Sequence, residues 1–338
     1  MRIGFDATYS VGKNLSGVGV YSRELMWGLA KAHADQKFGF YYRPHRMLRS
    51  FQDSLPPNAS RRLLRGLPSV DLFHALNQRV DARARRTVTT YHDLFVMTGD
   101  YSSPDFRVRF AAQARQAAAA SDAIIAVSRF TANHVRDLLG VDEARIHVVP
   151  HGVQMPSALP QRREPMILFA GVIQRRKNFA RVVKAFETMP PEWRLVVAGA
   201  KEGYGAQQEL SAVEQSPRRA AIQLVGHVTR DQLNGLFSRA SVFAFPSLDE
   251  GFGMPILEAM AHGVPVVTSN ISAMPEVAGD AALLVDPTSV EQIAEAFQTL
   301  IANRALRDEL VSRGLARARE FTWEKAAEQT WAVYQDLL

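Results

Sequence analysis

Phe245-Pro-Ser-Leu-Asp-Glu-Gly-Phe-Gly-Met-Pro-Ile-Leu-Glu-Ala-Met-Ala-His-Gly-Val-Pro-Val-Val267 decides how the rest of the chain is read. The apolar run Val242 to Phe245 has strand character, Pro246 to Gly253 is turn chemistry, and Met254 to His262 has helical spacing stopped by Gly263. Pro255 suits the first turn of that helix, where its missing N–H is not needed. A helix N-terminus presents unpaired N–H groups and partial positive charge, so the Phe252-Gly253-Met254 end is a ready seat for a diphosphate. Glu250 precedes the helix at that end, and Glu258 lies inside it, roughly 6 to 8 Å further along. One carboxylate is thereby available to sugar hydroxyls and the other to a ribose.

With its flanks, Phe-Pro-Ser before and Glu-Ala-Met-Ala-x-Gly-x-Pro-Val-Val after, this segment resembles the paired-glutamate element of the retaining glycosyltransferases of family 4. Phe169-Ala-Gly-Val-Ile-Gln-Arg-Arg-Lys-Asn178 is similar to the family's Gly-x-x-x-x-Arg-Lys element, and the resemblance puts Arg176 and Lys177 on the donor diphosphate. Arg175 is a competing cation, and Val172 stands where some members carry an additional Arg. Cations at a helix start are poorly placed unless an anion comes between, which favours an anion here. Asn14-Leu-Ser-Gly-Val-Gly-Val-Tyr-Ser-Arg-Glu24 resembles the family's glycine loop and points to Gly17 and Gly19 as backbone contacts of the donor phosphate or acceptor. A dinucleotide fingerprint fails there, because Ser22 occupies the third glycine position and the loop starts about ten residues after its strand. Thr90-Tyr-His-Asp-Leu94 resembles the His-Asp-Leu element of a subgroup that leans toward mannosyl transfer from GDP-mannose, which makes His92 a contact of the transferred sugar. Gly226, His227 and Val228 fall on a turn that lines the nucleobase pocket in relatives.

Composition agrees with an enzyme of this kind. The chain has 338 residues, 47% of them hydrophobic, enough for two cores. Zero cysteines exclude disulfides and thiolate chemistry. The absence of an 18-residue apolar run or a signal-peptide pattern leads to the expectation of a cytoplasmic protein. Net charge is +8 over residues 1–150 and −2 over the remainder. Arg43, Arg46, Arg49, Arg61, Arg62 and Arg65 alternate with Met47, Leu48, Phe51, Leu63 and Leu64. Such a mixture suits either a solvated basic face or a peripheral contact with an anionic inner membrane face; no nucleic-acid motif accompanies it.

Strand-like and helix-like segments alternate throughout, so the expected fold class is α/β, two doubly wound Rossmann-like domains. The resemblance implies the GT-B arrangement, in which they face a central cleft and close on substrate. The proline-rich stretch after Pro150 marks the boundary: an acceptor-side domain over 1–152, a linker over 153–164, a nucleotide-sugar domain over 165–320, and a terminal helix over 321–338 that by resemblance returns to the first domain. Trp323, Ala327, Trp331 and Tyr334 share one face of that helix, and Thr322 and Ser128 are expected N-caps. No Asp-x-Asp pair or metal-ligand spacing occurs, so the expected transfer uses no metal or other cofactor. It moves a hexose, mannose by resemblance, to a glycan or lipid-linked acceptor with retention. The alternatives are a GT-B nucleotide-sugar epimerase and a non-catalytic glycan or membrane-surface binding protein.

Overall fold

The computed structural model describes residues 1–338 except Lys13, Asn14, Leu67, Pro160 and Gln161. The first residue quoted for the glycine loop and two residues of the linker therefore lie outside the described residues. Contacts divide the chain into two compact units, one of Met1–Thr98, Pro104–Gly152 and Phe321–Leu338, the other of Gly99–Ser103 and Val153–Glu320.

The first unit runs β1 (Arg2–Asp6), α1 (Gly17–Ala32), β2 (Lys37–Tyr42), α2 (Pro44–Ser50), β3 (Ala59–Leu63), β4 (Leu72–Ala75), β5 (Arg86–Tyr91), α3 (Phe95–Thr98), α4 (Pro104–Ala120), β6 (Ala123–Ala126), α5 (Arg129–Leu139) and β7 (Ile146–Val148). Its sheet is parallel with order β3-β2-β1-β4-β5-β6-β7. Ile3, Phe5, Phe38, Phe40, Leu72 and Val88 form its core with Tyr21, Leu25 and Leu29 of α1. Near-continuous burial along β1, β4 and β6 is what a sheet covered on both faces requires. Ser128 caps α5 by accepting from the Thr131 N–H at 3.0 Å.

The second unit runs β8 (Met166–Ala170), α6 (Phe179–Phe186), β9 (Arg194–Ala198), α7 (Ala206–Gln215), β10 (Ile222–Gly226), α8 (Arg230–Arg239), β11 (Val242–Phe245), α9 (Met254–Ala261), β12 (Val266–Ser269), α10 (Met274–Ala278), β13 (Ala282–Val285), α11 (Val290–Ala302) and α12 (Arg304–Glu320). All its strands are parallel, in the order β10-β9-β8-β11-β12-β13. The last helix, α13 (Trp323–Leu337), packs in the first unit, burying Ala326, Ala327, Val333 and Tyr334 in its core. Thr322 caps it, accepting from the Lys325 N–H at 3.1 Å.

Several elements lie outside the sequence reading. β3 carries Arg61 and Arg62 and has a sheet neighbour on one side only, so it needs no apolar run. α2 buries only Ser50, and α3 and α10 are single short turns of helix. Residues Gly99–Ser103, read as part of the first domain, pack with the second unit. The stretch expected as a separate linker also belongs there: the Arg163 guanidinium donates to the carbonyls of Phe237, Ala240, His262 and Gly263 at 2.6 to 3.1 Å.

Candidate active site

In a doubly wound sheet the ligand crevice lies beyond the carboxyl ends of the two strands between which the order reverses. In the second unit those strands are β8 and β11, paired through Val242↔Ile167 and Phe243↔Leu168. The loop after β8 carries Arg176 and Lys177 in a 3-10 turn, and the loop after β11 carries Glu250. Adjacent strands thus bring together residues more than seventy positions apart. Arg176 Nη1 stands 2.7 Å from Glu250 Oε2, and the Lys177 ammonium pairs with Oε1 of the same carboxylate. All three side chains are buried to about a tenth exposure or less.

The surrounding backbone is fixed by polar contacts rather than by packing alone. Asn178, at φ 60°, turns the chain from the 3-10 turn into α6 and donates to Pro246 O at 2.9 Å and Pro287 O at 2.6 Å. Leu248 N–H donates to Arg176 O at 2.8 Å, tying the two loops together. Arg176 Nη1 also donates to Asp249 O at 2.5 Å, and Lys177 Nζ lies 4.6 Å from the centre of the Phe245 ring. Ser272 Oγ accepts from the Glu250 N–H at 3.2 Å. Burial alone would push the Glu250 carboxyl up, but Arg176 and Lys177 overcome it and hold the group down to about 2.

Gly253 precedes α9 at φ +100°, a conformation that favours glycine. Phe252 is buried and Met254 half-buried beside it. Glu258, 8% exposed inside α9, is ion-paired with Arg230 at the start of α8. α8 follows Gly226, His227 and Val228, of which His227 is exposed. Arg230 was not singled out from sequence; its one signal was a cation in the first turn of a helix, the same signal that marked Arg176 and Lys177. Arg175, the competing cation, points elsewhere: it is half exposed and pairs with Asp100 at 2.9 Å.

The first-unit candidates are placed differently. Gly17 and Gly19 belong to the first turn of α1 and not to a loop. The Gly19 N–H is taken by the capping Ser16 Oγ at 3.3 Å, and a side chain at Gly19 would meet Tyr9 O. Packing therefore explains Gly19 without a ligand. His92, just after β5, is 8% exposed; its Nε2 lies 2.9 Å from Leu76 O.

The two parallel α/β units are those of the GT-B fold. Residues 154–317 match the model of the group 1 glycosyl transferases, and residues 15–155 match that of glycosyltransferase family 4. The chain is 31% identical over 283 residues to an O-antigen chain mannosyltransferase B of Escherichia coli, covering 78% of this chain and 74% of the relative. It is 34% identical over 258 residues to a D-inositol 3-phosphate glycosyltransferase of Xylanimonas cellulosilytica, covering 70% of this chain and 61% of that one. Among solved structures, sucrose-phosphate synthase of Thermosynechococcus elongatus superposes with a TM-score of 0.81 at 20% identity, over 100% of this chain and 99% of that one. Anabaena HepE in complex with UDP-glucose superposes at 0.76 and 16% identity, again over 100% and 99%. The chain belongs to the family 4 glycosyltransferases, and its activity is glycosyl transfer.

Proposed function

We propose that this enzyme transfers mannose from GDP-mannose to a glycan or lipid-linked acceptor with retention of anomeric configuration and without a metal. The observation that carries the proposal is the buried contact of Arg176 and Lys177 with one carboxylate, at the switch point that also receives the N-terminus of α9. When the bond from the anomeric carbon to the diphosphate oxygen breaks, negative charge grows on the diphosphate, and fixed cations are worth most where charge develops. Arg176 and Lys177 supply that charge, with the Gly253-Met254 helix end. A diphosphate oxygen takes the proton of the acceptor hydroxyl as its oxygen bonds to the anomeric carbon from the same face. Glu250 then orients the sugar and faces the positive anomeric centre, Glu258 accepts from the ribose, and the Gly226–Val228 turn lines the base. His92 contacts the sugar. Mannose is favoured because a relative 31% identical over 78% of this chain carries a mannosyltransferase name.

The reading includes a peripheral contact with an anionic membrane. Leu48 of α2 is 83% exposed and Phe51 63%, with Arg49 exposed beside Leu48 and the Arg61 guanidinium 5.0 Å from the Phe51 ring centre. No helix among the described residues is long and apolar enough to cross a membrane.

Product analysis tests the whole reading. Incubated with EDTA, GDP-mannose and mannose-terminated or polyprenyl-diphosphate-linked acceptors, the enzyme is expected to form an α-mannoside, recognised by the one-bond coupling between its anomeric carbon and proton. A β-linked product, or transfer only on addition of a divalent metal, contradicts it.

A further inference from the structure

A charged network at the carboxyl ends of the first unit's strands has no part in the proposed reaction. Asp6 ends β1, Arg43 follows β2, and Arg79 and Asp81 lie on the loop after β4. The Arg43 side chain is 12% exposed and joins them: Nη2 stands 3.2 Å from Asp6 Oδ2, and Nε stands 2.7 Å from Asp81 Oδ2. Arg43 Nη1 also donates to the Tyr9 hydroxyl at 3.4 Å. Asp6 is buried, and its carboxylate takes the Thr8 N–H at 3.1 Å. Arg79 Nε donates to the other oxygen of Asp81 at 2.7 Å. The buried pair therefore anchors a carboxylate whose own side chain is still 29% exposed.

Asp81 opens onto a groove. With Arg79, Arg109, Gln113 and Gln116 it lines a space of about 480 Å³ between the loop after β4 and α4, a size within the range of about 300 to 1,000 Å³ of small-molecule sites. These side chains have spare hydrogen-bonding capacity of both kinds. A carboxylate offers about four acceptor positions, and Arg43 and Arg79 take one on each oxygen. Arg79 spends only Nε, so its Nη groups can donate, and among the described residues the Arg109 guanidinium and the Gln116 amide bond to no protein group. Gln113 gives its N–H to Gln78 O at 3.3 Å and keeps its oxygen.

This mixture selects among ligands. An anion would be repelled by Asp81, and a metal cation by Arg79 and Arg109. A sugar hydroxyl both donates and accepts, so a neutral sugar ring can use every member of the set. The loop also connects the groove with the candidate sugar contact, because it begins at Leu76, whose carbonyl lies 2.9 Å from His92 Nε2.

We propose that this groove is an acceptor subsite that binds a sugar unit of the glycan being extended. The inference rests on the reading of the acceptor as a glycan. Arg109, Gln116 and Asp81 recognise hydroxyls, and Asp6 and Arg43 hold Asp81 ready to accept, so little ordering is left for the ligand to impose. No bond is made or broken there.

Side-chain amide NMR of the full chain tests binding without turnover. Titration with α-linked mannotriose and no donor is expected to move the Gln113 and Gln116 amide signals, and titration with inorganic phosphate is expected to leave them in place. Arg109→Ala with Gln116→Ala changes two exposed residues of α4. The double variant is expected to raise the acceptor KM about tenfold at unchanged kcat and GDP affinity, the pattern of a contact kept from ground state to transition state. An unchanged acceptor KM, or signals that answer phosphate and not mannotriose, overturns the proposal. Transfer by the wild type with an indifferent double variant sinks the inference alone. If the wild type neither binds GDP nor transfers, the functional reading fails, and the mannotriose titration still decides the groove.

Discussion

At its switch point the second unit buries two cations against one carboxylate, whereas near its own β1/β4 switch point the first buries three imidazoles, two phenols and a threonine hydroxyl, all neutral. The backbone logic is shared, since both sheets run the same order outward from a reversal. Topology decides only where loops converge; the side chains they carry decide what is held there. Fixed charge suits a diphosphate that gains charge, whereas His74, Thr90, Tyr21 and Tyr334 are fully buried and bonded to one another.

The largest effect should come from removing the one carboxylate of the ionic cluster. Glu250→Gln is expected to lower kcat/KM by about 10²- to 10³-fold, measured by mannosyl transfer at saturating acceptor. Its acid behaviour is also set. Because the folded-state carboxyl sits at about 2 against an ordinary value of 4.5, its stabilisation is complete above 4.5 and is lost as pH falls from there through 2. Retained activity in Glu250→Gln would mean that the ionic cluster is architecture.

The imidazoles put the first unit's weakness in a different window. Burial lowers His92 to about 4 and His74 to about 3, so below 6.5 the unfolded chain binds protons that the folded chain refuses. Stability is full above 6.5 and declines as pH falls toward 4 and then 3, by on the order of 3 kcal/mol for His92. The first unit should therefore weaken between pH 6.5 and 4.5, before the second loses its Glu250 contribution. Trp193 is the single tryptophan of the second unit, so urea titrations of wild type and Trp193→Phe separate the two. Parallel decline of both units from 6.5 would erase the contrast.

Smaller effects sharpen it. The Arg230 partner of Glu258 is about two-fifths exposed, so Arg230→Ala should weaken GDP binding by about threefold and stability by less than about 1 kcal/mol. Calorimetry that gives a hundredfold loss would make Arg230 a direct ligand. Smallest in stability is Leu48→Ser with Phe51→Ser, expected within about 0.5 kcal/mol of wild type because both side chains are exposed. Flotation with phosphatidylglycerol vesicles should nevertheless fall sharply; unchanged flotation removes the membrane contact.

Where a short apolar run met turn chemistry, the fold was legible: β11 has the expected bounds Val242–Phe245, and α9 begins at the expected Met254. β3 and α2 were not, because an edge strand and a surface helix bury too little to leave a pattern. Arg176, Lys177, Glu250 and Gly253 could be read because each sits in a short local motif with turn or cap chemistry. Arg230, Ser272 and His74 could not. Their meaning lies in partners 16 to 260 residues away, and His74 in Leu-Phe-His-Ala reads as one more strand residue until Tyr334 and Thr90 are seen on its two nitrogens.

The central claim is that the ionic cluster of the second unit is a metal-free diphosphate site. Thermal unfolding of wild type and Lys177→Ala with GDP, UDP and ADP in EDTA tests it most directly. A stabilisation by one nucleotide, GDP on this account, that Lys177→Ala abolishes is the predicted result. No shift with any nucleotide, or an equal shift in both proteins, would contradict it.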